Sequence, residues 1–99
     1  MELRDLIEDW CEEHAPDEPL LFADGFDAAF IGVGYRAESE PVVCYDADEC
    51  IRILMLESNM SPEEAAEYFD FNVASAFFGP KTPMFLKRFK LPRPKFSRN

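Results

Sequence analysis

The tetrapeptide at residues 61–64, SPEE, constrains the fold of this chain more than any other short stretch. Ser61 is a preferred N-cap residue, Pro62 suits the first position of a helix, and Glu64 can close a capping box with Ser61. We therefore predict a helix that begins after Ser61 and is stopped by the Gly-Pro pair at residues 79–80. Its predicted inner face carries, at helical spacing, Ala65, Tyr68, Phe69, Asn72, Val73 and Ala76.

Four residues of this helix are predicted to be structural: Ser61 and Glu64 in the capping box, and Phe69 and Asn72 on the inner face. A Phe at such a position belongs in a packed core. An Asn there needs a hydrogen-bond partner, because burying an unpaired amide costs about 1–3 kcal/mol. The alternative is that this face of the helix lines a binding groove.

Two further helices are predicted by the same reasoning. One follows Asp46, an N-cap residue with Glu49 three positions later, and it ends near Asn59, which can adopt the left-handed cap conformation. The other lies at the N-terminus and ends before the prolines of APDEP at residues 15–19. Its apolar face consists of Leu3, Leu6, Ile7, Trp10 and Cys11.

Two strands are predicted between the first and second helices. Residues 30–35 alternate in side-chain size, and residues 41–45, PVVCY, open with a proline where no ladder donor is needed. The preceding stretch is ambiguous. LLF followed by DG suggests a β-hairpin, whereas a short helical turn over residues 26–29 is the competing interpretation.

Together these elements predict an α+β fold. It has an N-terminal helix, a small antiparallel sheet of two or three strands, and an antiparallel helix pair packed on the sheet. Ninety-nine residues suit one domain, and a 47% hydrophobic composition is enough for one core. We assign residues 1–80 to a single acidic domain and residues 81–99 to a basic tail that contains Pro and Phe.

The lack of a recognisable targeting signal and the odd number of cysteines predict a cytoplasmic protein. No apolar run approaches the roughly 20 residues that a membrane helix needs, so no membrane partner is expected. The opening MELRDLIEDW is too acidic and too broken by charges for a signal peptide. Three cysteines, an odd number, do not indicate a disulfide framework, and we expect them to be small buried apolar residues.

Charge is divided sharply along the chain. Residues 1–80 carry a net charge of −17, and residues 81–99 carry +7 with no acidic residue, which together give −10. The acidic surface either keeps the domain soluble, imitates nucleic acid or docks on a basic partner. The candidate contacts on the helices are Glu8, Asp9, Glu12, Glu13, Glu63 and Glu67.

The tail interleaves basic residues with phenylalanines, and three roles are open to it. It could bind nucleic acid, dock on an acidic partner, or fold back on its own domain or on a second copy, so a homodimer is possible. A tethered tail meets its own domain at high effective concentration, and we therefore expect self-docking with Phe85 and Leu86 buried at the edge of the core. The candidate basic contacts are Lys87, Arg88, Lys90, Arg93, Lys95 and Arg98.

One glycine motif resembles a dinucleotide-binding fingerprint. GVGYRA at residues 32–37 matches G-x-G-x-x-A, but Pro41 leaves no room for the helix that such a site requires. We predict instead that Gly32 and Gly34 flatten one strand face, so that a helix can approach closely.

Metal and catalytic sites are weakly supported. Cys11, His14, Cys44 and Cys50 contain the donors of a zinc site, but the spacing between the last two is not that of a zinc knuckle. Four aspartates are better explained by turns and helix caps than by ion binding or acid–base catalysis: Asp24, Asp27, Asp46 and Asp48. We predict no catalytic residue, cofactor or metal.

Several stretches resemble a family of short, uncharacterised phage and prophage proteins. They are DGFDAAFIGV from Asp24, VVCYDADECIRILM, MSPEEAAEYFDFNV and TPMFL, and they cover about residues 24–86. The shared pattern is Asp-Gly, Tyr-Asp, Met-Ser-x-Glu-Glu-Ala, Glu-Tyr-Phe-x-Phe-Asn and Thr-Pro. The resemblance implies a phage context but no catalytic residues, and it does not extend to the first helix or to the tail beyond Leu86.

The sequence therefore favours a non-enzymatic, phage-type interaction protein. It would bind or inhibit a host or defence protein through its acidic surface, its tail or both, in the cytoplasm of the host. The alternative is a nucleic-acid-associated protein that uses the basic tail as an arm. A small enzyme or metal-binding protein is the third possibility.

Overall fold

A computed structural model describes residues 1–92 as an α+β fold. Its helices are α1 (Leu3–His14), α2 (Ala47–Glu57) and α3 (Pro62–Tyr68), and its strands are β1 (Phe30–Gly34), β2 (Val42–Asp46) and β3 (Met84–Leu86). A 3₁₀ turn (Asp27–Ala29) precedes β1, and a π-helical segment (Phe69–Ala74) continues α3. Within residues 1–92, no helix is long and apolar enough to cross a membrane.

The sheet has three strands in the order β1-β2-β3, and it is mixed. β1 and β2 pair antiparallel, whereas β2 and β3 pair parallel, so the prediction of an antiparallel sheet is wrong for the third strand. The physical reason is the connection. Parallel strands need a crossover of at least a dozen residues, and α2, α3 and the π-helical segment provide one between β2 and β3.

An aromatic row crosses the sheet and organises the core. Phe30 pairs with Tyr45 and Tyr45 with Phe85 in the strand register, with ring centroids 6.3 and 5.7 Å apart. Phe69 meets Phe85 edge-on at 5.2 Å, which ties the end of α3 to the sheet. Tyr45 and Val43 are completely buried on this face.

Both predicted helix starts are confirmed. The Asp46 carboxylate accepts the N–H of Glu49 at 3.0 Å. The Ser61 hydroxyl accepts the N–H of Glu64 at 3.1 Å, and the Glu64 carboxylate accepts the N–H of Ser61 at 2.9 Å. Asn59 between the two helices adopts a φ of 53°, the left-handed conformation expected of it.

The end of the third helix differs from the prediction. α3 passes into the π-helical segment at Phe69, and helical structure stops at Ala74, well before the Gly-Pro pair at residues 79–80. α2 and α3 contact each other, but the antiparallel helix pair stays a prediction.

The ambiguous stretch before β1 resolves in favour of a helical turn. LLF at residues 20–22 forms no strand, so the hairpin interpretation is wrong. Gly25, with a φ of 91°, turns the chain into the 3₁₀ turn instead. In β1, a Cβ at residue 32 would lie 3.7 Å from the Trp10 ring, so α1 packs over Gly32 at an ordinary contact distance. A Cβ at residue 34 would lie 2.8 Å from the Cys44 sulfur, so Gly34 makes room for the neighbouring strand and not for a helix.

Strand β3 lies within the residues that we assigned to the basic tail, so this part of the tail belongs to the sheet. Phe85 is half-buried against Tyr45 and Phe69, as expected for self-docking. Leu86, expected to be buried as well, is 44% exposed, because alternate residues of a strand point to opposite faces of the sheet.

Candidate binding groove

An apolar groove opens beside the aromatic row. Its volume is about 330 Å³, and three separate parts of the chain form its walls: the loop before the 3₁₀ turn, the π-helical segment with the residues after it, and the approach to β3. We call it the apolar groove. Its lining consists of Leu21, Phe22, Ala23, Asp24, Phe26, Asn72, Val73, Ala76, Phe78, Thr82, Pro83 and Phe85.

The first wall is held by three polar contacts, two of them partly buried and one exposed. The Tyr45 hydroxyl accepts the N–H of Ala23 at 2.8 Å, and burial raises the pKa of this phenol above its ordinary value. The Arg4 guanidinium of α1 lies 3.2 Å from the Asp24 carboxylate and 3.0 Å from that of Asp27. This wall is therefore tied to both the sheet and α1.

The last wall is held by Thr82. Its hydroxyl donates to the carbonyl of Gly79 at 2.6 Å and accepts the N–H of Phe78 at 2.7 Å. Both bonds close the turn at the Gly-Pro pair, so this hydroxyl has a structural role at the rim of the groove.

Asn72 is exposed, not buried, and it lies at the groove. The prediction that Asn72 needs an internal partner is therefore wrong for this side chain, since water can solvate its amide. The π-helical segment shifts the rotation of the chain after Phe69, and the regular helical spacing used for the inner face does not continue through it. Phe69 itself is 4% exposed and packs in the core as predicted.

The six candidate acids lie on two separate helices. Glu8, Asp9, Glu12 and Glu13 are exposed on α1, which contacts β1 and the 3₁₀ turn. Glu63 and Glu67 are exposed on α3, which contacts α2. Among residues 1–92, one of the six forms an ion pair, at 3.9 Å between Glu8 and Arg4.

Exposed aromatic rings stand among the acids of the third helix. Tyr68 is 43% exposed and Phe71 is 73% exposed, and Glu67 and Asp70 directly precede them. We call Glu63, Glu67, Tyr68, Asp70 and Phe71 the acidic–aromatic surface. Sequence reasoning placed Tyr68 on the inner face and did not single out Phe71. The alternation of acid and ring in EYFDF is the signal that could have indicated this surface.

The first tail bases pair with the domain. Lys87 lies 3.1 Å from the Asp48 carboxylate, and Arg88 lies 2.8 Å from that of Asp46. The N–H of Glu49, together with Arg88, lowers the pKa of Asp46 below its ordinary value of 3.8. Lys90 is exposed, while Arg93, Lys95 and Arg98 lie outside the described residues.

The candidate zinc ligands do not form a cluster. Across the described part of the chain, no three Cys, His, Asp or Glu side chains come together in a group that could hold a metal ion. Cys11 and Cys50 are buried as free thiols, and burial raises the pKa of Cys50 to about 12. A thiol with that pKa is protonated at neutral pH in the metal-free protein, and a protonated thiol is a poor nucleophile.

Comparisons of this chain with protein-family models, with curated proteins and with solved structures gave no match.

Proposed function

We propose that this chain is a non-enzymatic interaction protein that binds a basic surface of another protein. The observation that carries the proposal is the acidic–aromatic surface, where Tyr68 and Phe71 are exposed on the same helical stretch as the exposed Glu63, Glu67 and Asp70. Apolar patches exposed on a protein surface often mark sites of interaction with a partner.

The chemistry of this surface suits a protein interface. Tyr and Phe are enriched at the centres of interfaces, where they supply most of the contact energy. Carboxylates around them attract a positively charged partner and raise its association rate. The net charge of −17 in residues 1–80 extends that attraction over the whole domain.

The resemblance to phage proteins suggests the setting. In a phage-encoded protein, the partner would be a host or defence protein in the host cytoplasm, and binding would inhibit it. The acids of α1, Glu8, Asp9, Glu12 and Glu13, form a second acidic surface that the same partner can use.

Charge-reversal variants test which surface binds. We expect wild-type protein to capture a discrete partner from host lysate at near-physiological salt, and Glu63→Lys with Glu67→Lys to lose it. The matched control, Glu57→Lys with Glu38→Lys, makes the same change in net charge at exposed sites elsewhere and should retain the partner. If the control loses the partner equally, the attraction is general and the acidic–aromatic surface is not the site.

A second function, nucleic-acid association through the tail, is favoured by one observation. Phe89 is 82% exposed beside the exposed Lys90, a combination that can stack on a base and contact a phosphate. The ion pairs of Lys87 and Arg88 with the domain count against it. Sub-micromolar binding of single-stranded DNA at near-physiological salt, lost on truncation after Leu86, would support this function instead.

A further inference from the structure

The apolar groove and the segment that follows β3 have complementary chemistry. The groove is lined mainly by rings and aliphatic side chains, and it belongs to a strongly acidic domain with Asp24 at its rim. Its natural occupant is an apolar side chain carried by a basic segment, since burial of the side chain and attraction of the flanking bases then act together.

The chain itself contains such a segment. Residues 87–91 read KRFKL, and Phe89 and Leu91 are 82% and 80% exposed. The ion pairs of Lys87 and Arg88 hold the start of the segment against the N-terminus of α2 and leave these two side chains in solvent. A single copy therefore presents both an apolar groove and an uncovered apolar pair.

The origin of the segment favours an exchange between two copies. It leaves β3 at Leu86, directly after Phe85, which lines the groove. At about 3.3 Å per extended residue, Phe89 can reach roughly 10 Å beyond Leu86. In a two-fold pair, each segment starts beside its own groove and needs to cross only a short distance to the other.

We propose that two copies of this chain associate by exchanging these segments, with Phe89 and Leu91 of each copy in the apolar groove of the other. This dimer uses neither Glu63 nor Glu67, so it does not depend on the proposed partner surface. It would also place Lys90 of each segment beside the acidic domain of the other copy, while Lys87 and Arg88 keep the ion pairs with their own domain.

Sedimentation of the full chain over a concentration series tests the dimer. We expect a monomer–dimer equilibrium whose dissociation constant rises with salt. Phe89→Ala with Leu91→Ala should raise the dissociation constant by at least about tenfold, because truncating buried anchors has effects of this size. The matched control is Leu56→Ala with Tyr35→Ala, two side chains that are each 68% exposed elsewhere, and it should leave the dimer unchanged.

Mixing two variants distinguishes segment exchange from other contacts. Ala76→Arg places a charge in the groove but leaves the segment intact, whereas the Phe89→Ala, Leu91→Ala variant has an intact groove. Each alone should be monomeric, and the mixture should form a dimer through one segment–groove contact. Circular dichroism checks that Ala76→Arg folds, and if it does not, the segment variant and its control decide alone.

Three results would overturn the proposal. The full chain could stay monomeric up to the highest concentration. A dimer could persist unchanged in the Phe89→Ala, Leu91→Ala variant, or be weakened equally in the control. A monomeric chain whose foreign partner is lost in a folded Ala76→Arg variant would assign the groove to that partner instead of to a second copy.

Discussion

The β2–α2 unit (residues 42–57) and the α3 unit (residues 62–74, with the π-helical segment) begin alike and end differently. Each helix starts at a side-chain cap, Asp46 in one and Ser61 in the other. In the first unit, Val43, Tyr45 and Cys50 are completely buried. In the second, rings alternate between core and solvent within a few residues.

The difference shows how a short aromatic-rich chain divides its aromatic side chains between the core and the surface. Phe69 fills the core, and Phe71, two residues later, is 73% exposed. The first unit contributes mainly to the core, because three of its side chains are completely surrounded by neighbours. The second unit places Phe69 in the core, whereas Tyr68 and Phe71 are exposed and accessible to a partner.

Truncating the two phenylalanines should separate core from surface most clearly. Phe69→Ala removes a buried ring that packs edge-on against Phe85, and it should reduce the free energy of unfolding by about 3–5 kcal/mol. Phe71→Ala, its matched control, should change it by less than about 0.5 kcal/mol. Urea denaturation of both variants measures the difference, and similar losses would contradict the division.

Removing the Tyr45 hydroxyl should have the next largest effect. Tyr45→Phe keeps the ring in the aromatic row but leaves the N–H of Ala23 without its acceptor, which should cost about 1–3 kcal/mol. Tyr35→Phe is the control, because its exposed hydroxyl makes only a 3.4 Å contact with the carbonyl of His14. Equal melting temperatures for the two variants would show that the hydroxyl of Tyr45 contributes nothing.

The cap of the third helix should contribute less. Ser61→Ala removes the acceptor for the N–H of Glu64, and it should destabilise the domain by about 1 kcal/mol. Ser61→Asp restores a cap and should recover most of this loss. A neutral Ser61→Ala variant in a denaturant melt would mean that helix α3 does not depend on its capping box.

The cap of the second helix should differ from that of the third in its pH dependence. The folded pKa of Asp46 is lowered, so its contribution to stability is present above the unfolded value of 3.8 and is lost as the pH falls through the lower folded value. Asp46→Asn keeps a good cap and should cost less than about 1 kcal/mol at pH 7.

The same variant should flatten the dependence of stability on pH in the acid range around and below 3.8, because Asn does not titrate. Thermal melts over this pH range measure the slope, and Ser61→Ala serves as the control that should not change it. An unchanged slope in Asp46→Asn would show that other carboxylates account for the acid sensitivity.

The sequence was informative wherever local chemistry decides the structure. The two caps, the left-handed Asn59 and two strands depend on near neighbours and could be predicted. The strands were expected over residues 30–35 and 41–45, and they lie at Phe30–Gly34 and Val42–Asp46. β3 could not. Its three residues, MFL, are too few to show the alternation of apolar and polar residues that predicts a strand. They form a strand because they pair with Cys44 and Tyr45 of β2.

The sequence predicted a groove only as the alternative to a packed inner face of the third helix. Asn72, Val73 and Ala76 could be assigned to one helical face, and a groove along that face was one of two interpretations. The opposite walls come from residues about 50 positions earlier and from the approach to β3. No local pattern records that these segments meet, since long-range packing and the π-helical segment determine it.

The parallel pairing of β2 with β3 has a consequence for how the chain folds. Tyr45 and Phe85 are register partners but lie 40 residues apart in sequence, so their contact forms only after a long loop has closed. Contacts of this kind slow folding, because their entropic cost precedes their benefit. During synthesis, the sheet cannot close until residue 86 has emerged. Tyr45 and Phe69 therefore lack their contacts with Phe85 in the nascent chain until residues 84–86 have been made, and β3 then covers these two rings.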